Sequence, residues 1–499
     1  MRIIFLLLSV LASQVLCAQE ASKLEITKSK VFDDKSKAES ILAIHSAANG
    51  NVVTVRGSKR KYHVHFYDEN FSELNHQIVD RERKQKFIGA IKTDDLLRFF
   101  TVYSPKKDER IVYSHTIDMA SKNVTTRTLF EQEVEKKQSL FGSRRNHRTN
   151  FSVTPDGAHF AIATDNNRKN KNSHTIRVFE AASSKLVYQK SYQEGEEILY
   201  EHNDLFIDDD LNVYSLGKLF ENGSRKKNKD GDANYEIVLN KIAADLNETL
   251  KIDLGQDMLI QSLGFSSVDG QFNLVGLYSE NQERWVKGGC VFSIDKDALK
   301  VISRKSQVLP KQVYEDLYGE ARADRKNKKK KELGNFDIDY ILTDTAGNAY
   351  LIAEEFYLST TYVANGMNGG FTRTTPNYDD ILILKFDPTG KLEWGRSIFK
   401  RSQSPSYNAF IIDDQLHVLL NSGKNLTEKN DGRTKLSKGW FETTALYDID
   451  FESDGEPSYN KIQDNAGNHF YRPYYGSFDY QRFVMISDGG TKKTFLTLE

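Results

Sequence analysis

The sequence predicts an all-β protein built from repeats. Three observations predict it. A polar turn followed by an alternating strand recurs eight times along the chain, and a second alternating strand follows each copy. The apolar period is two in both, which marks half-buried strands rather than helices. The remaining composition agrees. With 499 residues and 38% of them hydrophobic, the chain can bury a large core, and repeat architectures often make one domain of such a length. The 69 Lys and Arg against 70 Asp and Glu, a net charge of −1, exclude a uniformly basic nucleic-acid binder and an acidic disordered chain. They leave room for charge segregated onto one face. Two cysteines exclude a disulfide scaffold and the Cys-rich zinc modules.

The elements follow in chain order. Residues 1–18 begin with Arg2, continue through an apolar run at 3–8 and end at Cys17 and Ala18, the layout of a secretory signal peptide. The expected product is therefore secreted or periplasmic. Acylation at Cys17 is the lesser reading, because Gln14, Val15 and Leu16 offer no small residue beside it. No later segment is long and apolar enough to predict a transmembrane helix.

The repeated turns lie at 48–51, 93–95, 155–157, 208–210, 268–270, 345–347, 413–415 and 478–480, each leading into a strand. The second strands are expected at 62–67, 110–117, 175–179, 236–242, 289–294, 380–386, 443–449 and 493–498. A further strand follows most units, as at 186–191, 250–254 and 392–398. The eighth unit runs out of chain at Glu499, but Lys23, Leu24, Glu25, Ile26 and Thr27 alternate at the other end and supply the missing strand.

This arrangement resembles a β-propeller, in which four-stranded blades surround a channel and the N-terminal strand completes the last blade. The resemblance implies a single propeller over 19–499, with eight blades, or seven if one unit is an elaboration. It is architectural only, since no Trp-Asp or kelch signature ties the chain to a family. Ring closure has a physical motive: each blade buries its faces only against its neighbours.

Label the strands of a blade a to d from the channel outward. Turns a–b and c–d then share one face of the disc, and b–c loops share the other with the blade connections. The long segments are b–c loops, at 218–234, 355–378 and 421–440, and blade connections, at 131–146 and 305–335. All elaboration is thus expected on one face, where long loops commonly carry binding residues. An insertion at 311–334 has helix-forming composition, with Tyr314, Leu317 and Tyr318 on one helical face.

The same loops are rich in cations, among them Lys59, Arg60, Lys106, Lys107, Arg148, Arg225, Lys226, Lys424 and the run 328–331. They predict a positive face that draws an anionic partner: an acidic polysaccharide, an envelope lipid or lipopolysaccharide, or an acidic protein. Nucleic acid is not favoured for an exported chain.

No phosphate-loop, dinucleotide, His-Glu-x-x-His or Gly-x-Ser-x-Gly pattern is present. His63 and His65 share a strand face, but two ligands fall short of a tetrahedral metal site, and surface imidazoles are the expectation. Asp230, Asp232, Asn234 and Glu236 alternate oxygen ligands as a calcium loop might, without the EF-hand spacing. No cofactor is therefore expected, calcium being the one alternative. The expected ligand-binding residues are Arg148, Arg225, Lys226, Trp285, Arg373, Tyr407, Trp440 and Arg472. Trp285, Tyr362, Phe371, Trp440 and Phe441 offer flat platforms for sugars or peptide side chains. Trp394 and Cys290 are read as packing.

Two functions compete. The leading expectation is an exported, non-enzymatic binding or scaffold propeller that uses its basic, loop-rich face. The alternative is a carbohydrate-active lyase or hydrolase with Asp337, Asp339, Glu201 and His202 at the channel mouth. There, Asp337 and Asp339 would point the same way along a strand and raise one another's pKa.

Overall fold

A computed structural model describes residues 23–499 apart from 35, 37–39, 94, 136–138, 142–149, 168–171, 196–197, 221–233, 256–257, 269–270, 281–283, 329–330, 365–369, 429–432, 437–442 and 489. The signal-peptide expectation at 1–18 lies outside these residues. The described residues form eight four-stranded antiparallel sheets, the blades of a propeller. In blade 1 the order from the channel outward is Ser40–Ser46, Val52–Gly57, Lys61–Tyr67 and Glu73–Asp80. Blades 2 to 7 repeat this meander over 86–133, 151–195, 199–252, 259–308, 336–398 and 407–464. Innermost strands of neighbouring blades lie against one another around the channel.

Blade 8 is built from both ends of the chain. Ser477–Asp479, Arg482–Ile486 and Phe495–Leu498 supply three strands, and Ile26–Lys28 pairs antiparallel with the last, Ile26 opposite Leu498. Backbone hydrogen bonds between Glu25 and Glu499, at 2.8 and 3.2 Å, extend the pairing. The expected eight-bladed ring with N-terminal closure is therefore present. Its core is eight apolar clusters among the described residues, one per seam. Ile44, Val52, Tyr67, Phe71, Val484, Ile486 and Phe495 fill the closing seam between blades 1 and 8. An open ring would have only seven.

The turns form where side-chain carboxylates take over backbone donors. Asp344 accepts from the Asn348 amide at 2.8 Å, and Asp387 accepts from those of Thr389 and Lys391 at 2.9 and 2.8 Å. These aspartates also join blades: Asp414 accepts from the Thr345 amide at 2.8 Å and from its hydroxyl at 2.6 Å. Every a–b and c–d connection is five residues or shorter. The long connections all fall on the opposite face.

Between blades 5 and 6, helix α1 (Lys311–Tyr318) and helix α2 (Glu320–Lys328) meet at Gly319, whose φ of +77° breaks them apart. Helix α1 buries Val313, Tyr314 and Leu317 in the core shared by blades 5 and 6. Asp316, on its other side, binds Arg396 with both carboxylate oxygens, at 2.9 and 3.2 Å.

Candidate functional site

The elaborated face is dominated by blade 6. Its middle strands, Ala349–Ala364 and Gly370–Phe386, run far past the blade as a two-stranded hairpin, with Tyr357 opposite Asn377 and Thr360 opposite Thr374. Its sequence is rich in Tyr and Thr, which suit a pleated ribbon. A register shift between Glu354 and Phe356 marks where the hairpin leaves the blade. That base places Glu354, Glu355, Asp379 and Asp380 together, and the connection after blade 6 brings Lys400 and Arg401 onto them.

The contacts are close. Lys400, buried, donates from Nζ to Glu354 Oε1 at 2.6 Å and to the Tyr378 carbonyl at 2.8 Å. Arg401 donates from Nη1 to Asp380 Oδ1 at 2.9 Å and stands 3.2 Å from Asp379 Oδ2. The Tyr357 hydroxyl donates to Asp379 Oδ2 at 2.8 Å. Beside them, the Tyr407 hydroxyl of blade 7 donates to Asp339 Oδ2 of blade 6 at 2.5 Å.

Burial sets the proton affinities. It pushes the Asp380 carboxyl up to about 7, with Glu355 and Asp379 adding to the rise and Arg401 opposing it. Glu354 and Glu355 are also raised, chiefly by burial, against the pull of Lys400 and Arg401 respectively. A carboxyl that titrates near neutrality beside a half-exposed arginine can hold or release a proton at physiological pH.

Of the residues singled out in the sequence, Asp339 and Tyr407 are brought together across a seam. Strict alternation does not relate Asp337 to Asp339, because a β-bulge between Ile338 and Tyr340 interrupts the register. Similar bulges interrupt the inner strands of blades 1, 2, 4 and 5, near the same face. Asp337 is half-buried opposite Glu354. Glu201 and His202 lie two blades away, in blade 4. Glu201 is exposed, whereas His202 is buried with Nδ1 at 3.0 Å from Ser215 Oγ, which also meets the hydroxyls of Tyr192 and Tyr200 at 2.7 and 2.9 Å. That network ties the outer strand of blade 3 to the inner strands of blade 4.

Trp285 is 41% exposed, on a short strand paired with Leu333–Gly334. Arg472 is exposed and ion-pairs with Asp488 at 2.5 Å. Arg148, Arg225, Lys226, Trp440, Phe441, Asp230 and Asp232 lie outside the described residues, as do the side chains of Arg373, Tyr362 and Phe371. Asn234 is buried, and Glu236 pairs with Lys251. Trp394 packs on Phe451 at 5.8 Å, and Cys290 is buried with its thiol pushed up by that burial.

The surface-imidazole expectation for His63 and His65 is overturned: both are buried. The outermost strand of blade 1 sets His76 opposite His65 and completes a cluster of three. His63 Nδ1 lies 3.1 Å from His76 Nε2, and His65 Nδ1 lies 3.0 Å from Glu73 Oε1. Burial, then Arg56 and His76, lower His65 to about 3, so it is neutral at pH 7. Alternation along one strand found the first two histidines. Finding the third requires the register between strands, which no local pattern specifies.

No protein-family model matches the chain, and no curated protein matches it. Among solved structures it is similar to Sqt1 from Saccharomyces cerevisiae, at 11% identity and a TM-score of 0.40 over 93% of this chain and 97% of that one. It is also similar to the polysaccharide lyase Uly1, at 9% identity and 0.40 over 82% and 88%. A third is the β-propeller domain of the Trilobed protease from Pyrococcus furiosus, at 8% and 0.37 over 85% and 98%. At this level of similarity neither a ligand nor a reaction passes from them to this chain, whose own sheets establish it as an eight-bladed β-propeller.

Proposed function

We propose that the protein is an exported, non-enzymatic binding propeller that holds a protein or anionic envelope partner against its loop-rich face. The observation that carries this reading is the one-sided elaboration. Tight turns close one face, and the other bears the helical insertion and the projecting blade 6 hairpin. Exposed apolar residues stand on that same face, at Trp285, Tyr357, Leu358 and Tyr475. Such groups beside charged ones suit a contact surface. Export rests on the pattern at 1–18, and the anionic preference on the cations of the long loops.

The test shortens the hairpin by joining Leu358 to Pro376, which face each other, through an Asn-Gly turn. The shortened protein should keep its melting temperature and lose a stoichiometric partner that the full chain retrieves from native envelope. Equal retrieval by both forms would contradict the reading. A second reading, a carbohydrate-active enzyme, is favoured by the neutral-range Asp380 carboxyl beside Glu355, Asp379 and Arg401. Polysaccharide turnover that Asp380→Asn abolishes without unfolding would replace the first reading with the second.

A further inference from the structure

We propose that His63, His65 and His76 form a binding site for one divalent transition-metal ion of the zinc and copper class, at the seam where the propeller ring closes. The three side chains come from adjacent strands, Lys61–Tyr67 and Glu73–Asp80, and one ligand nitrogen of each lies within 4.8 Å of the others. A metal bound by two imidazoles at ordinary distances holds their nitrogens about 3.3 Å apart. His63 Nδ1 and His76 Nε2 already stand at 3.1 Å. Those two atoms now share one hydrogen. Ligation needs only a change of tautomer, moving that hydrogen to the far nitrogen of its ring, so no proton need leave the site.

His65 is the third ligand. Its ring stacks on His76 with centroids 4.1 Å apart and planes 3° from parallel. Lone pairs in parallel planes do not converge, so one ring must turn, and His76, which is exposed, has the room. Meanwhile Glu73 holds His65 Nδ1, the outer-sphere carboxylate that commonly orients a metal-binding histidine. That leaves Nε2 to bind, in place of its 2.9 Å contact with Arg56 Nη2. Arg56 keeps Asp34 and Ser36, which hold the same nitrogen at 2.9 and 3.0 Å. The guanidinium and the Asp34 carboxylate offset each other beside the ion. Imidazole donors select zinc, copper and nickel over magnesium and calcium.

The location gives the site a consequence. Asp34 belongs to the N-terminal strap, whose Phe32–Asp33 pairs with Lys492–Lys493 of blade 8. The strap thus stands beside the histidines through Asp34 and Arg56, and an ion that binds the folded blade there stabilises it over the unfolded chain.

The experiment titrates the full chain, with any affinity tag removed, against Zn2+ and Cu2+ by calorimetry, with Mg2+ and Ca2+ as hard-cation controls. One equivalent of Zn2+ or Cu2+ should bind with a dissociation constant in the micromolar range or below and raise the melting temperature. The Cu2+ complex should show nitrogen hyperfine splitting in its electron paramagnetic resonance spectrum. His76→Ala, at an exposed position, should fold normally and bind at least ~30-fold more weakly. Absence of saturable binding, binding equal in His76→Ala, or equal response to Ca2+ would overturn the proposal. His63→Gln serves as the second variant: copper that it still binds should show splitting from fewer nitrogens, which separates ligation from a change in stability.

Discussion

Asp34 reaches from the strap before blade 1 to the buried guanidinium of Arg56, with one oxygen at 2.9 Å, the other closer still, and the Ser36 amide at 2.9 Å. Burial raises its pKa, but Arg56 and Ser36 outweigh it and hold the carboxyl at about 2. A depressed carboxyl contributes stability above its unfolded value near 4, and loses it as pH falls toward the folded value. Removing the charge strands a buried arginine, so Asp34→Asn should cost about 3 kcal/mol in urea unfolding at pH 7, shrinking below pH 4. Asp380 has the opposite sign. Its folded pKa of about 7 means that ionisation in the fold is penalised, so wild-type stability falls as pH rises from about 4 to 7. Asp380→Asn should therefore gain on the wild type across that window, by on the order of 2 kcal/mol at pH 8. A constant difference between pH 4 and pH 8 would show that Asp380 is an ordinary carboxylate.

Blades depend on close backbone approach at a few points. Gly276, on the second strand of blade 5, lies where a Cβ would stand 2.1 Å from the Ser262 carbonyl and 2.5 Å from a Leu263 methyl. That is beside the inner-strand bulge between Ile260 and Ser262, so the bulge can exist only against glycine. Gly276→Ala should lower stability by about 3 kcal/mol, read by thermal unfolding. Bulges are also where legibility in the sequence ended. The strands, turns and α1 were read from period and turn chemistry, because those signals are local. The bulge that breaks the alternation of Asp337 and Asp339 depends on pairing with a strand over ten residues further on. The carboxylate cluster at the hairpin base escaped notice for a related reason. Residues 355–378 read as a loop, whereas the structure continues both strands through much of that span and so brings Glu354 and Glu355 alongside Asp379 and Asp380.

At the scale of the whole molecule, closure and one-sidedness were both legible. Counting turns gave eight units, and an unpaired alternating segment at 23–27 supplied the last strand. Lys92 and His45 reinforce the join from blades 2 and 1 by meeting Asp479 of blade 8, at 3.0 and 3.4 Å. Charge was less legible than shape. The rim between blades 6 and 7 gathers Glu354, Glu355, Asp379 and Asp380 against Lys400 and Arg401, a pattern that a count of loop cations does not reveal. The account's central claim is that partners meet the face of long connections. Lysine cross-linking in the native compartment, with the linked residues mapped by mass spectrometry, tests it most directly. Exposed lysines mark both faces: Lys59, Lys106, Lys107 and Lys424 on the elaborated side, Lys185 and Lys391 in the tight turns. Partner cross-links confined to the first group are the predicted result, and cross-links concentrated on Lys185 and Lys391 would contradict it.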